Sequence, residues 1–238
     1  MKKPMEDYNT NEKGYSKLGE ERYKQRCRDL QKRINETSKS YYKKKGEGDY
    51  SSLPENAKKY EFSDLIENKD NIKMIRDLSQ YVKNYKRTRK GIGLIGETGI
   101  GKTTLIGITC KKIVKNYNKT LYFSSEMGMV DEITKAFDTK SPERPEDIIK
   151  KIGSHDLVFI DELGDTDNKW SVGAIKRVID ETMNRGNRLF ITSNYNAKQL
   201  IKRWGGSNEN KTPQQILDRM NGAMNLYQLN GDSFRKKL

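Results

Sequence analysis

Residues Gly96-Glu97-Thr98-Gly99-Ile100-Gly101-Lys102-Thr103 follow the spacing G-x-x-x-x-G-K-[ST], and Thr104 continues the run. Each residue type in that pattern has a phosphate-binding reason. The glycines let the backbone wrap so that successive N–H groups converge on an oxyanion. The Lys102 ammonium suits the β- and γ-phosphates of a nucleoside triphosphate, and the Thr103 hydroxyl suits a Mg²⁺ ion. A ligand-free glycine turn is the alternative. The flanks argue against it, because "GIGLIG" is short, apolar and β-prone and "KTTLIGITCKKIVKNY" has a helical pattern.

Two adjacent carboxylates end the run "LVFIDE". Four apolar residues suit a strand buried on both faces, whose C-terminal end emerges beside the phosphate loop. Asp161 there suits the Mg²⁺ shell, and Glu162 suits a base that takes a proton from attacking water. "RLFITSN" closes in Thr192, Ser193 and Asn194. A polar side chain at that strand end can orient water or touch a γ-phosphate. Hydrolysis also calls for a cation on the transferred phosphoryl group. The candidates are Arg203, Arg219 and Arg235, with Arg219 late on the helical pattern of "TPQQILDRM".

These residues need a scaffold of alternating strands and helices. Beyond "EFSDLI", the segment "NIKMIRDLSQYVKNY" carries Ile72, Ile75, Leu78 and Val82 at helical spacing. "TLYFSS", "LVFIDE", "RLFITSN" and "AMNLYQL" read as further strands. Helical patterns at "VDEITKAF", "PEDIIKKI", "VGAIKRVIDETMNR", "AKQLIKRW" and "TPQQILDRM" lie between them, which predicts an α/β fold with parallel pairing and right-handed crossovers.

The first 50 residues differ in kind, being dense in charge and tyrosine and nearly free of aliphatics. Tyr23, Cys27, Leu30 and Ile34 nevertheless recur at helical spacing, a narrow stripe of the sort that docks on another helix. "YYKKKGEGDYSSLPEN" reads as a flexible linker. The expected division is therefore a small helical region over residues 1–50 and an enzymatic domain over 51–238.

The net charge is +14, with 34% charged and 33% hydrophobic residues, a balance that favours a polyanionic partner. Cys27 and Cys110 stand far apart and His155 is the single histidine, so zinc is not expected. "MKKPMEDYNT" lacks the apolar core of a secretory signal, and no apolar run is long enough to span a membrane. The expectation is a soluble, cytoplasmic protein.

Taken together, "EFSDLI", "GETGIGKTTL", "VFIDELG", "ITSN", "ILDRM" and "GDSFR" resemble the AAA+ ATPases of the bacterial and phage replicative helicase-loader group. Close relatives of that group are the ATP-binding helper proteins of insertion-sequence transposition. The resemblance covers roughly residues 60–235. It implies a P-loop NTPase core with a five-stranded parallel sheet flanked by helices, ATP and Mg²⁺ as cofactors, and ATP-dependent self-association on DNA. Lys102 and Thr103 match the Walker A pair, Asp161 and Glu162 the Walker B pair, and Asn194 the sensor 1 residue. Arg219 matches the arginine finger that enters a neighbouring subunit's site, and Arg235 falls in the terminal motif. "EFSDLI" matches the segment near the adenine. With Leu238 as the last residue, no C-terminal helical lid is expected.

The resemblance further implies that the N-terminal region grips a hexameric replicative helicase, here through Tyr23, Cys27, Leu30 and Ile34. The expected function is a loader that assembles on single-stranded DNA and delivers that helicase. The alternatives are a transposition helper acting on duplex DNA and a nucleotide-gated inhibitor of a host helicase. The intact Glu162 argues against the last.

Overall fold

Each short β-prone run adjoins a longer helical one, and the chain turns that alternation into a parallel sheet. The computed structural model describes residues 49–65, 71–138 and 142–231. Its strands are β1 (Gly91–Ile95), β2 (Leu121–Ser125), β3 (Leu157–Asp161), β4 (Arg188–Ser193) and β5 (Met224–Gln228). They form one five-stranded sheet in the order β2-β3-β4-β1-β5, every pair parallel. The helices are α1 (Glu55–Lys59), α2 (Ile72–Lys83), α3 (Lys102–Tyr117), α4 (Glu126–Lys135), α5 (Pro145–Gly153), α6 (Lys169–Asn184), α7 (Ala197–Arg203) and α8 (Thr212–Ala223).

The two-residue period of the strands splits the core between the faces of the sheet. Leu157 and Phe159 of β3 join Ile92, Leu94 and Phe190 against α1, α2 and α3. Val158 and Ile160 join Leu189, Ile191 and Met224 against α4, α5, α6 and α8. Registers Ile95↔Ser193 and Ser125↔Asp161 bring the C-terminal ends of β1, β4, β3 and β2 to one edge. In an open α/β sheet that edge is where ligands bind.

Helix starts follow their caps. The Ser125 side chain accepts from Gly128 N, so α4 begins directly at the end of β2 and earlier than "VDEITKAF" suggests. Asn168 accepts from Ser171 N and likewise starts α6 ahead of "VGAIKRV". Helix α3 differs, since Gly101 at its N-cap supplies no side chain and leaves the first N–H groups open to an anion.

Two expectations are corrected. The linker read into residues 41–56 ends earlier: Leu53 and Ala57 are buried against α3, and Asp49 caps the turn through Ser51 N at 2.8 Å. Leu53, just ahead of α1, and Ala57 within it dock this segment. In α2, Met74 rather than the half-buried Ile72 completes the buried stripe with Ile75, Leu78 and Val82. The stripe of Tyr23, Cys27, Leu30 and Ile34, and also Arg235, lie outside the described residues. Among the described residues no helix is long and apolar enough to cross a membrane.

At the opposite edge Asp156 ties the start of β2 to that of β3. It accepts from Lys119 Nζ at 2.8 Å, Thr120 N at 2.9 Å and Thr120 Oγ1 at 3.0 Å. Burial alone raises the carboxyl, but these bonds outweigh it and hold the group below its ordinary range. A carboxyl lowered by folding stabilises fully above its unfolded pKa, and that contribution is lost as pH falls through the folded value. Asp156→Asn is therefore expected to cost about 2 kcal/mol at neutral pH and to flatten the acid limb of stability. Urea unfolding between neutral and acid pH measures both.

Candidate nucleotide-binding and hydrolysis site

A cavity of about 390 Å³ opens at the C-terminal edge of the sheet. Thr98 through Leu105 form its floor, Glu162, Thr192 and Asn194 one side, and Asn56, Tyr60, Asp64, Leu65 and Asn71 the other. Gly99 and Gly101 sit at φ 88° and 87°, a left-handed conformation that a side chain would strain, and so the loop can wrap. Gly96 and Glu97 contribute carbonyls rather than lining. Lys102, 7% exposed, donates to Gly96 O at 2.8 Å, Glu97 O at 2.7 Å and Asn194 Oδ1 at 2.8 Å. The expected Walker A lysine and sensor residue thus meet directly.

Thr103 Oγ1 donates to Asp161 Oδ1 at 2.9 Å, and Thr192 Oγ1 donates a short hydrogen bond to the same oxygen. Burial pushes the Asp161 carboxyl up, against the hydroxyls of Thr192 and Thr103 and the charge of Lys102. A hydroxyl and a carboxylate that close together suit a hard divalent cation. Mg²⁺ takes one or two carboxylates and completes its shell with water and substrate phosphate.

Glu162, a non-glycine residue, stands at φ 59°. Such strain persists only where neighbours enforce it, and it clusters at working sites. Here β4 enforces it: Glu162 N donates to Thr192 Oγ1 at 3.0 Å, Leu163 N to Thr192 O at 2.8 Å, and Ser193 Oγ to Leu163 O at 2.5 Å. Thr192 thereby holds the Asp161 carboxylate and the Glu162 backbone, a role its place in "ITSN" did not disclose.

The wall on the "EFSDLI" side is tied to α3. Lys111, 1% exposed, donates to Lys58 O at 3.0 Å and Tyr60 O at 2.5 Å and pairs with Glu61 at 2.9 Å. Lys112 pairs with the other Glu61 oxygen and, with Lys111, holds that carboxyl below its ordinary range despite partial burial. Phe62–Asp64 form a 3-10 turn, and Asp64 and Leu65 face the cavity. Nothing in the lysine-rich composition marked Lys111 out beforehand.

Of the three candidate arginines, the two within the described residues separate. Arg203 Nε donates to Gly164 O at 2.7 Å, and its guanidinium lies 4.3 Å from the Tyr195 ring centroid, so it braces the loop after Glu162. Arg219, on α8, lies outside the cavity wall of its own subunit and pairs with Asp180 of α6 at 3.3 Å.

A parallel sheet of this order, with a phosphate loop after β1, an Asp-Glu pair after β3 and a polar cluster ending β4, defines a P-loop NTPase of the AAA+ class. A model of the family described as IstB-like ATP binding protein matches residues 29–238, and the chain belongs to that ATP-binding family. The chain is 26% identical over 162 residues to the chromosomal replication initiator protein DnaA of Buchnera aphidicola subsp. Cinara cedri (strain Cc). That match takes in 68% of this chain and 35% of the relative, so the chain spans about a third of the relative's length. Among solved structures, the DnaC helicase loader superposes with a TM-score of 0.63 at 18% identity, covering 74% of this chain and all of that one. DnaA bound to AMPPCP and single-stranded DNA superposes at 0.59 and 16% identity, covering 73% of this chain and 50% of that one. At these identities the likeness concerns the fold.

Proposed function

We propose that the protein is a Mg²⁺-dependent ATPase that assembles on single-stranded DNA and loads a hexameric replicative helicase. The observation that carries the hydrolytic part is the convergence of Lys102, Thr103, Asp161, Glu162 and Asn194 at one cavity. Lys102 exchanges the Gly96 and Glu97 carbonyls for phosphate oxygens, Asn194 orients water at the γ-phosphate, and Glu162 accepts the proton of the attacking water. Thr103 and Asp161 would hold a Mg²⁺ ion, which would supply charge neutralisation to the bound phosphates. A second cation, a neighbour's Arg219, completes this set, so hydrolysis takes place at a seam between subunits.

Support for the loader reading comes from the fold likeness to the DnaC helicase loader over that chain's whole length and from the Tyr23, Cys27, Leu30, Ile34 stripe. Its test is co-precipitation with the cognate helicase. Tyr23→Asp and Leu30→Asp are expected to abolish capture, and undiminished capture discards the stripe. Membership of the IstB-like family favours a second reading, a transposition helper that prefers duplex DNA and recruits a transposase. Binding to single-stranded against duplex oligonucleotides, with a non-hydrolysable ATP analogue present, separates the two.

The single-strand preference has a structural candidate. Phe137 and Trp170, 57% and 38% exposed, meet edge-on with ring centroids 5.5 Å apart, and exposed Lys135 and Lys169 flank them in the chain. Aromatic faces beside cations suit bases and phosphates of an unpaired strand. Phe137→Ala and Trp170→Ala are each expected to weaken single-strand binding by roughly 5- to 150-fold, the equivalent of about 1–3 kcal/mol per stacked base. Fluorescence anisotropy with an oligonucleotide measures the loss, and a duplex control is expected to change less.

A further inference from the structure

Among the described residues two carboxylates are buried, and the chemistry above uses only Asp161. The other, Glu126, is fully buried as the first residue of α4, one position beyond the Ser125 that pairs in register with Asp161. It spends its charge on one target. One oxygen accepts a short hydrogen bond from Gly164 N; the other accepts from Thr166 N at 3.0 Å and, at short range, from Thr166 Oγ1. Those residues belong to the loop that starts at Glu162.

That loop is therefore held along its length. Thr192 and Ser193 fix its first residues to β4, Arg203 holds Gly164 O, and Glu126 holds Gly164 and Thr166 from α4. A desolvated carboxylate is a costly way to fasten a loop, and burial indeed pushes the Glu126 carboxyl up against these bonds. An apolar contact would fasten the loop more cheaply, but three directed bonds fix its position far more narrowly.

The same two elements meet again elsewhere. Just past the far end of α4 stands Phe137, and the loop runs on through the Asn168 cap to Trp170 on α6. The segment that starts with α4 and the one that runs from Glu162 into α6 are thus joined at two places. One is the Glu126 carboxylate at the start of the first; the other is the Phe137–Trp170 pair, just past α4 and in the first turn of α6.

We propose that Glu126 is a positioning residue for Glu162, through which nucleic-acid contact at Phe137 and Trp170 governs ATP hydrolysis. The proposal rests on the hydrolytic reading of Glu162 and on the aromatic pair as a base-stacking face. Glu126 touches neither nucleotide nor nucleic acid; it acts by setting where the Glu162 loop sits.

The test compares the full chain with its Glu126→Gln and Thr166→Val variants. Steady-state kcat and KM for ATP are measured with and without a single-stranded oligonucleotide, alongside affinity for a non-hydrolysable ATP analogue and thermal unfolding. Glutamine keeps the shape but turns an amide N–H₂ toward at least one backbone N–H, so the loop shifts. Its kcat is expected to fall about 10- to 100-fold, the scale of a displaced catalytic group, with analogue affinity kept within about 2-fold and stimulation by the oligonucleotide lost. Thr166→Val removes only the hydroxyl bond, and its kcat falls about 3-fold; it carries the test if the glutamine variant does not fold. Wild-type kcat and stimulation in both variants overturn the proposal. So does a loss of melting temperature and analogue affinity with kcat per bound nucleotide unchanged, which marks a merely structural residue. A wild-type protein without ATP turnover in any condition defeats the hydrolytic reading itself, and the proposal with it.

Discussion

Replacing Glu162 by glutamine is expected to lower ATP turnover about 100-fold or more while leaving ATP binding nearly intact. In the proposed reading the carboxylate accepts a proton from water, and an amide cannot take its place. The substitution leaves the rest of the site standing. The Glu162 N–H bond to Thr192 Oγ1 is a backbone bond that glutamine keeps, and the left-handed backbone is no harder for glutamine than for glutamate. Lys102, Thr103 and Asp161 keep their contacts. The variant should therefore hold ATP without cleaving it, and should accumulate in whatever assembled state ATP favours. Single-turnover hydrolysis together with analogue affinity separates the two effects. Normal turnover would place the base elsewhere.

Arg219→Ala is expected to cost about 10³-fold in turnover, the scale of a cation lost from the transferred phosphoryl group. Arg219 is half exposed on α8, held by Asp180 at 3.3 Å, and absent from the cavity wall of its own subunit. If it serves a neighbour, mixing inactive Arg219→Ala protomers with inactive Lys102→Ala protomers restores part of the activity, because some seams join an intact cavity to an intact arginine. Absence of any rescue counts against action across a seam.

Much of the core was open to reading because its signals are local. The loop of residues 96–104 needs glycines where φ is positive and a strand and helix on either side, and all of these lie within one short window. The continuous burial of "LVFID" and of "RLFITS" after its first residue follows from parallel strands covered on both faces. What sequence could not disclose depends on contacts across the sheet. Glu126 resembles any acidic residue at the start of a helix until β2 is placed beside β3 and the loop after Glu162 comes within reach. Lys111 is one lysine in a chain full of them, buried only because α1 docks on α3. Arg203 and Arg219 were both candidates, with Arg219 preferred; their partners, Gly164 O and Asp180, became visible only in the fold. The linker was misjudged because charge and glycine outweighed Leu53, whose burial depends on a partner helix far along the chain.

The central claim is that ATP bound in this cavity is cleaved only where two subunits meet on nucleic acid. Turnover per protomer as a function of protein concentration, with single-stranded oligonucleotide in excess, tests it most directly. A site completed by a neighbour predicts a specific activity that is negligible at high dilution, climbs steeply as protomers associate and then levels off. A specific activity independent of concentration, from a species that sediments as a single chain, would contradict it.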